Sequence, residues 1–152
     1  MRIAIASDHA AIELKAELLA WLTRGGHDVA DLGADLGADD GASVDYPDYG
    51  YTLAEHVAGG RAQRGVALCG SGIGISIAVN RNPDCRCALV NDPVSAALSR
   101  EHNDANVIAL GARLIGLDMA KACVTAFLET EFAGGRHGRR VEKLGLPPAT
   151  RC

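Results

Sequence analysis

The stretch Gly65-Val66-Ala67-Leu68-Cys69-Gly70-Ser71-Gly72-Ile73-Gly74 decides the reading of this chain. Gly65 to Cys69 is a short, continuous apolar run, the pattern of a strand covered on both faces. It passes into a turn with alternating glycines, and a helix is predicted from there to about Asn80. Glycines let a backbone approach a ligand and point successive N–H groups inward. A helix start adds a positive partial charge. Such a nest suits a phosphate or a developing oxyanion, and the same field favours the thiolate form of Cys69. The alternative is a tight turn beside an inert buried thiol; the glycine spacing and the strand-end position of Cys69 favour function. Two nucleotide motifs are excluded. A dinucleotide fingerprint belongs in the first strand–helix turn, here Ser7-Asp8-His9-Ala10 without glycine, and no Gly-Lys-Ser/Thr follows as in a Walker loop.

Outward from this unit the same alternation recurs. Ile3 to Ala6 reads as a strand, followed by a helix over 10–24 with Ala11, Leu14, Leu18, Trp21 and Leu22 on one face and Gly25-Gly26 at its end. Val29 to Leu32 is a second strand, Gly33 to Asp45 a polar loop, and residues 48–58 a helix opened by Pro47. Cys87 to Val90 is a further strand, and Asp92-Pro93 caps a helix reaching about Glu101. Val107 to Leu110 is the last strand. Leu117, Ala120, Val124, Phe127 and Leu128 mark a long helix, and a short basic helix opens at Arg136. No internal repeat is visible. Short apolar strands alternating with helices specify an α/β fold: one domain over 1–152, a three-layer α/β/α Rossmann-like architecture with a five-stranded parallel sheet, and 136–152 as a C-terminal basic helix and tail. Ligands in such folds bind beyond the carboxyl ends of the strands, at the switch in strand order. The stretches to search are 7–9, 32–46, 69–74, 91–93 and 111–113.

Composition narrows the function. The 152 residues are 48% hydrophobic and 22% charged, which suits one ordered domain. Lys plus Arg number 15 against 19 acids, and aromatics are 4%, so a nucleic-acid-binding module is not expected. No run is long and apolar enough to cross a membrane, and the first residues lack the apolar region of a signal peptide, so the expected location is cytoplasmic. The 5 cysteines, at 69, 85, 87, 123 and 152, form no disulfide framework. Cys85 and Cys87 lack a second pair at zinc spacing.

Several polar residues fall on the stretches to be searched. Asp8 and His9 follow the first strand, where Asp8 serves equally well as a helix cap. Asp45-Tyr46-Pro47-Asp48-Tyr49 reads mainly as a cap and helix start. His102, in Arg100-Glu101-His102-Asn103, is either a dipole-complementing residue or an acid–base group. Arg113 follows the last strand. Arg136, Arg139 and Arg140 are either phosphate clamps or a solvated basic face.

Taken in order, Asp8-His9, Asp45-Tyr46-Pro47, Cys69-Gly70-Ser71-Gly72-Ile73-Gly74-Ile75-Ser76, Arg100-Glu101-His102-Asn103-Asp104-Ala105-Asn106 and Gly134-Gly135-Arg136-His137 resemble the type B ribose-5-phosphate isomerases, the family that also holds galactose-6-phosphate isomerase subunits. The resemblance covers nearly the whole chain. It implies an aldose–ketose isomerase interconverting ribose 5-phosphate and ribulose 5-phosphate, with no metal and no cofactor. By position, Cys69 matches the general base that moves a proton between C1 and C2 through an enediolate. Gly70, Ser71, Gly72, Ile73 and Gly74 match the loop that holds the enediolate, with Ser71 where some members carry Thr. His102 matches the residue that opens the furanose ring. Asp8, His9 and Asn103 match sugar contacts, and Arg113, Arg136 and Arg140 match substrate and phosphate binders. One branch of the family lacks the cysteine and has Glu at the position of Ile75; this chain falls in the cysteine branch. Other readings are an isomerase of a six-carbon sugar phosphate such as allose or galactose 6-phosphate, an isomerase of a four-carbon one, a non-catalytic sugar-phosphate-binding subunit, and a flavodoxin-like binding module.

Topology adds one expectation. Cys69 ends its strand, whereas His102 ends a helix that begins at the same sheet edge and runs back antiparallel for about 15 Å. His102 is therefore expected at the opposite edge from Cys69, so that one substrate meets both only across two subunits. The resemblance likewise implies a homodimer, or a dimer of dimers, with shared sites for a small sugar phosphate.

Overall fold

The computed structural model describes residues 1–34 and 43–145; most of the acidic loop and the tail after Gly145, including Cys152, lie outside the described residues. Strands β1 (Arg2–Ser7), β2 (Asp28–Asp31), β3 (Arg64–Cys69), β4 (Cys87–Leu89) and β5 (Val107–Gly111) pair in parallel in the order β2-β1-β3-β5-β4. The connecting helices are α1 (Ile12–Arg24), α2 (Tyr46–Ala58), α3 (Ile73–Val79), α4 (Pro93–Asn103), α5 (Leu117–Glu129) and α6 (Arg136–Leu144). A short 3-10 turn, His9–Ala11, precedes α1.

Residue size sorts the helices between the two faces. Ile3, Ile5, Val66, Leu68, Ile108 and Leu110 point to one side and pack against Leu18 and Leu22 of α1, Ala96 of α4, and Val124 and Phe127 of α5. Ala4, Ala6, Ala67, Cys69, Val107 and Ala109 point to the other and pack against Leu53 and Val57 of α2 and Ile75 and Val79 of α3. The sheet is thus bulky on one face and small on the other. Each fully buried Ile, Leu or Phe contributes about 1.5–3 kcal/mol. The small face leaves room for α2 and α3 to pack tightly: a Cβ on Gly50 would lie 2.7 Å from that of Ala78.

Helix starts follow the sequence closely. Asp92 accepts from the Ser95 amide at 2.8 Å, and Asp8 from the Ala10 amide at 3.0 Å, both as side-chain caps. Asp45 differs. It holds the N-cap position of α2, and its carbonyl accepts from the Asp48 amide at 3.2 Å, but its side chain makes no capping bond.

Candidate active site

The strand order switches between β1 and β3: the chain leaves β1 over the bulky face through α1 and leaves β3 over the small face through α3. A crevice opens at the carboxyl ends of these two strands. The Asp8 amide donates to the Leu68 carbonyl at 3.3 Å, which places the end of β1 beside Cys69. Asp8, His9, Ala10, Tyr46, Cys69, Gly70, Ser71, Gly74, Arg113 and Leu114 line a cavity of about 330 Å³. A larger groove of about 810 Å³ lies between α1 and the start of α5. Its lining holds no thiol and no arginine, so the reactive groups converge in the smaller one.

Within the crevice the glycine turn wraps the thiol. Gly72 adopts φ +76°, a left-handed conformation that other residues reach only at a cost. That twist aims the Gly72 amide at Cys69 Sγ, 3.1 Å away. The Ile73 amide donates to Ser71 Oγ at 3.3 Å. The loop is pinned from β5, where the Gly111 position lies against the Ser71 backbone so closely that a Cβ there would sit 2.7 Å from it. The Arg113 amide donates to the Gly70 carbonyl at 3.0 Å, and its guanidinium lies over Gly70. His9 is held at the rim by Val44: according to tautomer, Nδ1 accepts from the Val44 amide at 3.1 Å or donates to its carbonyl at 3.2 Å.

The remaining candidate residues stand elsewhere. His102 and Asn103 end α4, and Asp104 turns the chain back with φ 46°. Asp104 is clamped between Arg100 Nη1 at 2.7 Å and Arg86 Nη2 at 3.0 Å. Asn106 then donates to the carbonyl of Arg86, which immediately precedes β4. This is the amino edge of the sheet. The five residues of β5 separate it from Gly111, the partner of Cys69, by about 16 Å. Arg136 and Arg140 lie on α6, which packs against α4 at that same edge. The chain therefore carries two clusters: Asp8, His9, Cys69 to Gly74 and Arg113 at the carboxyl edge, and His102, Asn103, Arg136 and Arg140 at the amino edge.

The described residues from 3 to 144 match, as one unit with the loop between them, a family model described as Ribose/Galactose Isomerase. The chain belongs to the ribose/galactose isomerase family. It is similar to ribose-5-phosphate isomerase B of Escherichia coli, 43% identical with 94% of this chain and 93% of that protein covered. It is equally similar to D-erythrulose-4-phosphate isomerase of Pectobacterium atrosepticum, 43% identical with 95% and 93% covered. Among solved structures, ribose-5-phosphate isomerase B of Clostridium thermocellum superposes with a TM-score of 0.91 at 47% identity, covering 95% of each chain. The Thermotoga maritima enzyme gives 0.90 at 45% identity, covering 95% of this chain and 97% of that one. Membership makes this chain a sugar phosphate isomerase.

Other features of the chain bear on this family assignment. Ile75 is fully buried among Val79, Cys69 and the small face of the sheet, so no carboxylate reaches the crevice from that position. Tyr46 lines the cavity with its ring against Gly74, where a Cβ would lie 2.6 Å from the ring. The sequence reading placed Tyr46 at a helix start and missed this; its signal was an aromatic side chain at the end of the searched stretch 32–46. Among the described residues no group of three or more His, Cys, Asp or Glu is placed to hold a metal ion. Cys85 is buried, and loss of solvent, then the charge of Asp84, pushes its thiol up to about 11. Burial likewise raises Cys87. Both suit structural thiols. No helix among the described residues is long and apolar enough to cross a membrane.

Proposed function

We propose that the chain interconverts ribose 5-phosphate and ribulose 5-phosphate in a homodimer whose sites join the two clusters. The observation that carries the reading is Cys69 at a strand end, with a glycine-turn amide on its sulfur and Asp8, His9, Ser71 and Arg113 around the same small cavity. Aldose–ketose isomerisation needs a base, an acid and an oxyanion site. His102 gives its proton to the ring oxygen as the bond from C1 to that oxygen breaks, and the proton that leaves the C1 hydroxyl as the aldehyde forms passes through solvent water and restores His102. Cys69 then takes the proton from C2. The electron pair becomes the C1–C2 double bond, and charge gathers on O1 beside the amides of the 70–74 loop. The Ser71 hydroxyl, in the cavity lining, passes the O2 proton to O1. Cys69 returns its proton to C1, leaving the ketone at C2. Arg113, Arg136 and Arg140 hold the phosphate and sugar oxygens through charge-assisted bonds. No step calls for a divalent ion.

Two observations support sharing between subunits. One sheet length divides Cys69 from His102 within a chain. Large apolar side chains also stand exposed around the short edge strand β4: Ile73 and Ile77 one turn apart on α3, Leu89 on β4, and Val94 and Leu98 one turn apart on α4. A second copy on this face would cover them. The deciding experiment mixes two inactive variants, Cys69→Ala and His102→Ala, under conditions of subunit exchange. A mixed dimer with shared sites has one doubly defective site and one intact site, so ribose 5-phosphate isomerisation returns. With exchange verified by mass spectrometry and no recovered activity, the shared-site reading fails. A four-carbon substrate is the second reading, supported by the equal similarity to the erythrulose-4-phosphate isomerase. Comparing kcat/KM for erythrose 4-phosphate and ribose 5-phosphate separates the two.

A further inference from the structure

The reaction as read above gives no part to His137. His137 lies face to face with His102, ring centroids 4.4 Å apart and planes within 5° of parallel. The two rings come from different helices, α6 and α4, so the stack exists only because those helices pack together. An imidazole ring that must give a proton along one direction needs its plane fixed, and a flat neighbour fixes it.

The protonation state of the pair follows from its surroundings. Two imidazolium rings in face contact would repel, which favours a neutral ring in the stack. Arg136 Nε lies 3.4 Å from His137 Nε2, and a guanidinium nitrogen only donates. His137 Nε2 is therefore an acceptor, and the ring is neutral with its hydrogen on Nδ1. His102 has the opposite setting, with Glu101 Oε1 3.9 Å from its Nε2. Charged groups face His137 from both packed elements: His102 and Glu101 from α4, Arg136 and Arg140 from α6. Loss of solvent, then the charges of His102, Arg136 and Arg140, depress the His137 pKa, with Glu101 acting the other way.

We propose that His137 is a positioning residue, a flat platform that fixes the plane of His102. This rests on the reading of His102 as the ring-opening acid. A residue that only holds α6 in place would not link kcat to the presence of a flat ring, so the comparison of alanine with phenylalanine at this position is the distinguishing readout.

The test uses the intact protein with isotope-labelled histidine, followed by NMR titration and by steady-state kinetics on ribose 5-phosphate. In the unaltered protein, His137 is expected to titrate below the ordinary imidazole range. His137→Ala removes the platform and is expected to lower kcat about tenfold through misorientation of the acid. His137→Phe keeps a flat face without a titratable nitrogen and is expected to restore kcat to within about threefold, with KM little changed in either variant. His137 titrating above the ordinary imidazole range would overturn the proposal. So would an unchanged kcat in His137→Ala, a Phe variant as slow as the Ala variant, or an effect confined to KM, which would mark a phosphate contact. The two readings fail separately. If His102→Ala keeps full kcat, the ring-opening role falls, while the His137 titration in the unaltered protein still reports whether the platform ring is neutral. If His102→Ala is inactive and the His137 variants behave as the unaltered protein, only the platform falls. Thermal melts of each variant verify that α6 remains docked.

Discussion

Gly72→Ala probes the turn that presents the thiol. The Gly72 φ of +76° costs an alanine about 1–2 kcal/mol relative to glycine. The added Cβ would also lie 2.6 Å from Leu89 Cδ1, 2.9 Å from the Leu110 carbonyl carbon and 3.1 Å from the Gly111 nitrogen. The Leu89 methyl can turn away because Leu89 is partly exposed on an edge strand. The two backbone atoms belong to the fully buried end of β5 and have nowhere to go. Overpacking of this kind costs about 1–3 kcal/mol, so the whole change is expected to cost about 2–5 kcal/mol. For a domain of this length that lowers Tm by about 5–20 °C. Urea unfolding gives the free energy, and isomerase assays below the transition give activity. Relieving the clash rotates the peptide whose N–H meets Cys69 Sγ, so kcat is expected to fall even where the variant is fully folded. A variant within about 0.5 kcal/mol of the parent with normal kcat would refute both the strain and the role given to that amide.

Arg136→Ala and Arg140→Ala are each expected to raise KM for phosphorylated sugars about tenfold or more by removing a charge-assisted bond, while unphosphorylated analogues lose little; equal losses on both would place these arginines away from the phosphate. Activity is expected to survive exhaustive chelation, and a reversible loss restored by a divalent ion would contradict the amide-held enediolate. In a Cys152→Ser background, alkylation of Cys85 is expected to stay slow at neutral pH and to accelerate only as pH climbs toward about 11, because below that value the buried group remains a thiol. Peptide mapping that finds Cys85 modified at pH 7 as fast as a free thiol would refute this.

Much of the fold was legible because the central strands carry their own signature. Ile3 to Ala6 of β1, Gly65 to Cys69 of β3 and all of β5 are apolar and buried, covered on both faces. Asp8, Asp92 and Pro93 marked helix starts through local chemistry that needs no tertiary partner. Asp45 shows the limit of that reasoning: residue type suggests a cap, but its side chain makes no capping bond although it holds the N-cap position. The sorting of helices between the two faces was also present in the sequence, as large residues at Ile3 and Ile5 against small ones at Ala4 and Ala6. It passes unnoticed when a strand is judged only as apolar or not.

The two halves of the candidate site differ in legibility for a physical reason. The crevice is built by neighbours in sequence meeting at a strand end, so the switch-point rule and a glycine turn lead straight to Cys69, Ser71 and Arg113. Tyr46 joins them only because α2 packs against α3 and brings its ring onto Gly74, a contact set by the whole small face of the sheet. The amino-edge cluster depends still more on packing. Arg136-His137-Gly138-Arg139-Arg140 reads as a basic surface run, and nothing in that run singles out the histidine. Docking of α6 on α4 turns His137 from one charge among several into the flat partner of His102. The Arg86–Asp104–Arg100 clamp does the matching work for α4, fixing the turn directly after His102 and Asn103. On the shared-site proposal His102 has no local support from the crevice it would serve, so its orientation must come from rigid contacts at its own edge. The clamp beneath the end of α4 and the ring against His102 supply that rigidity.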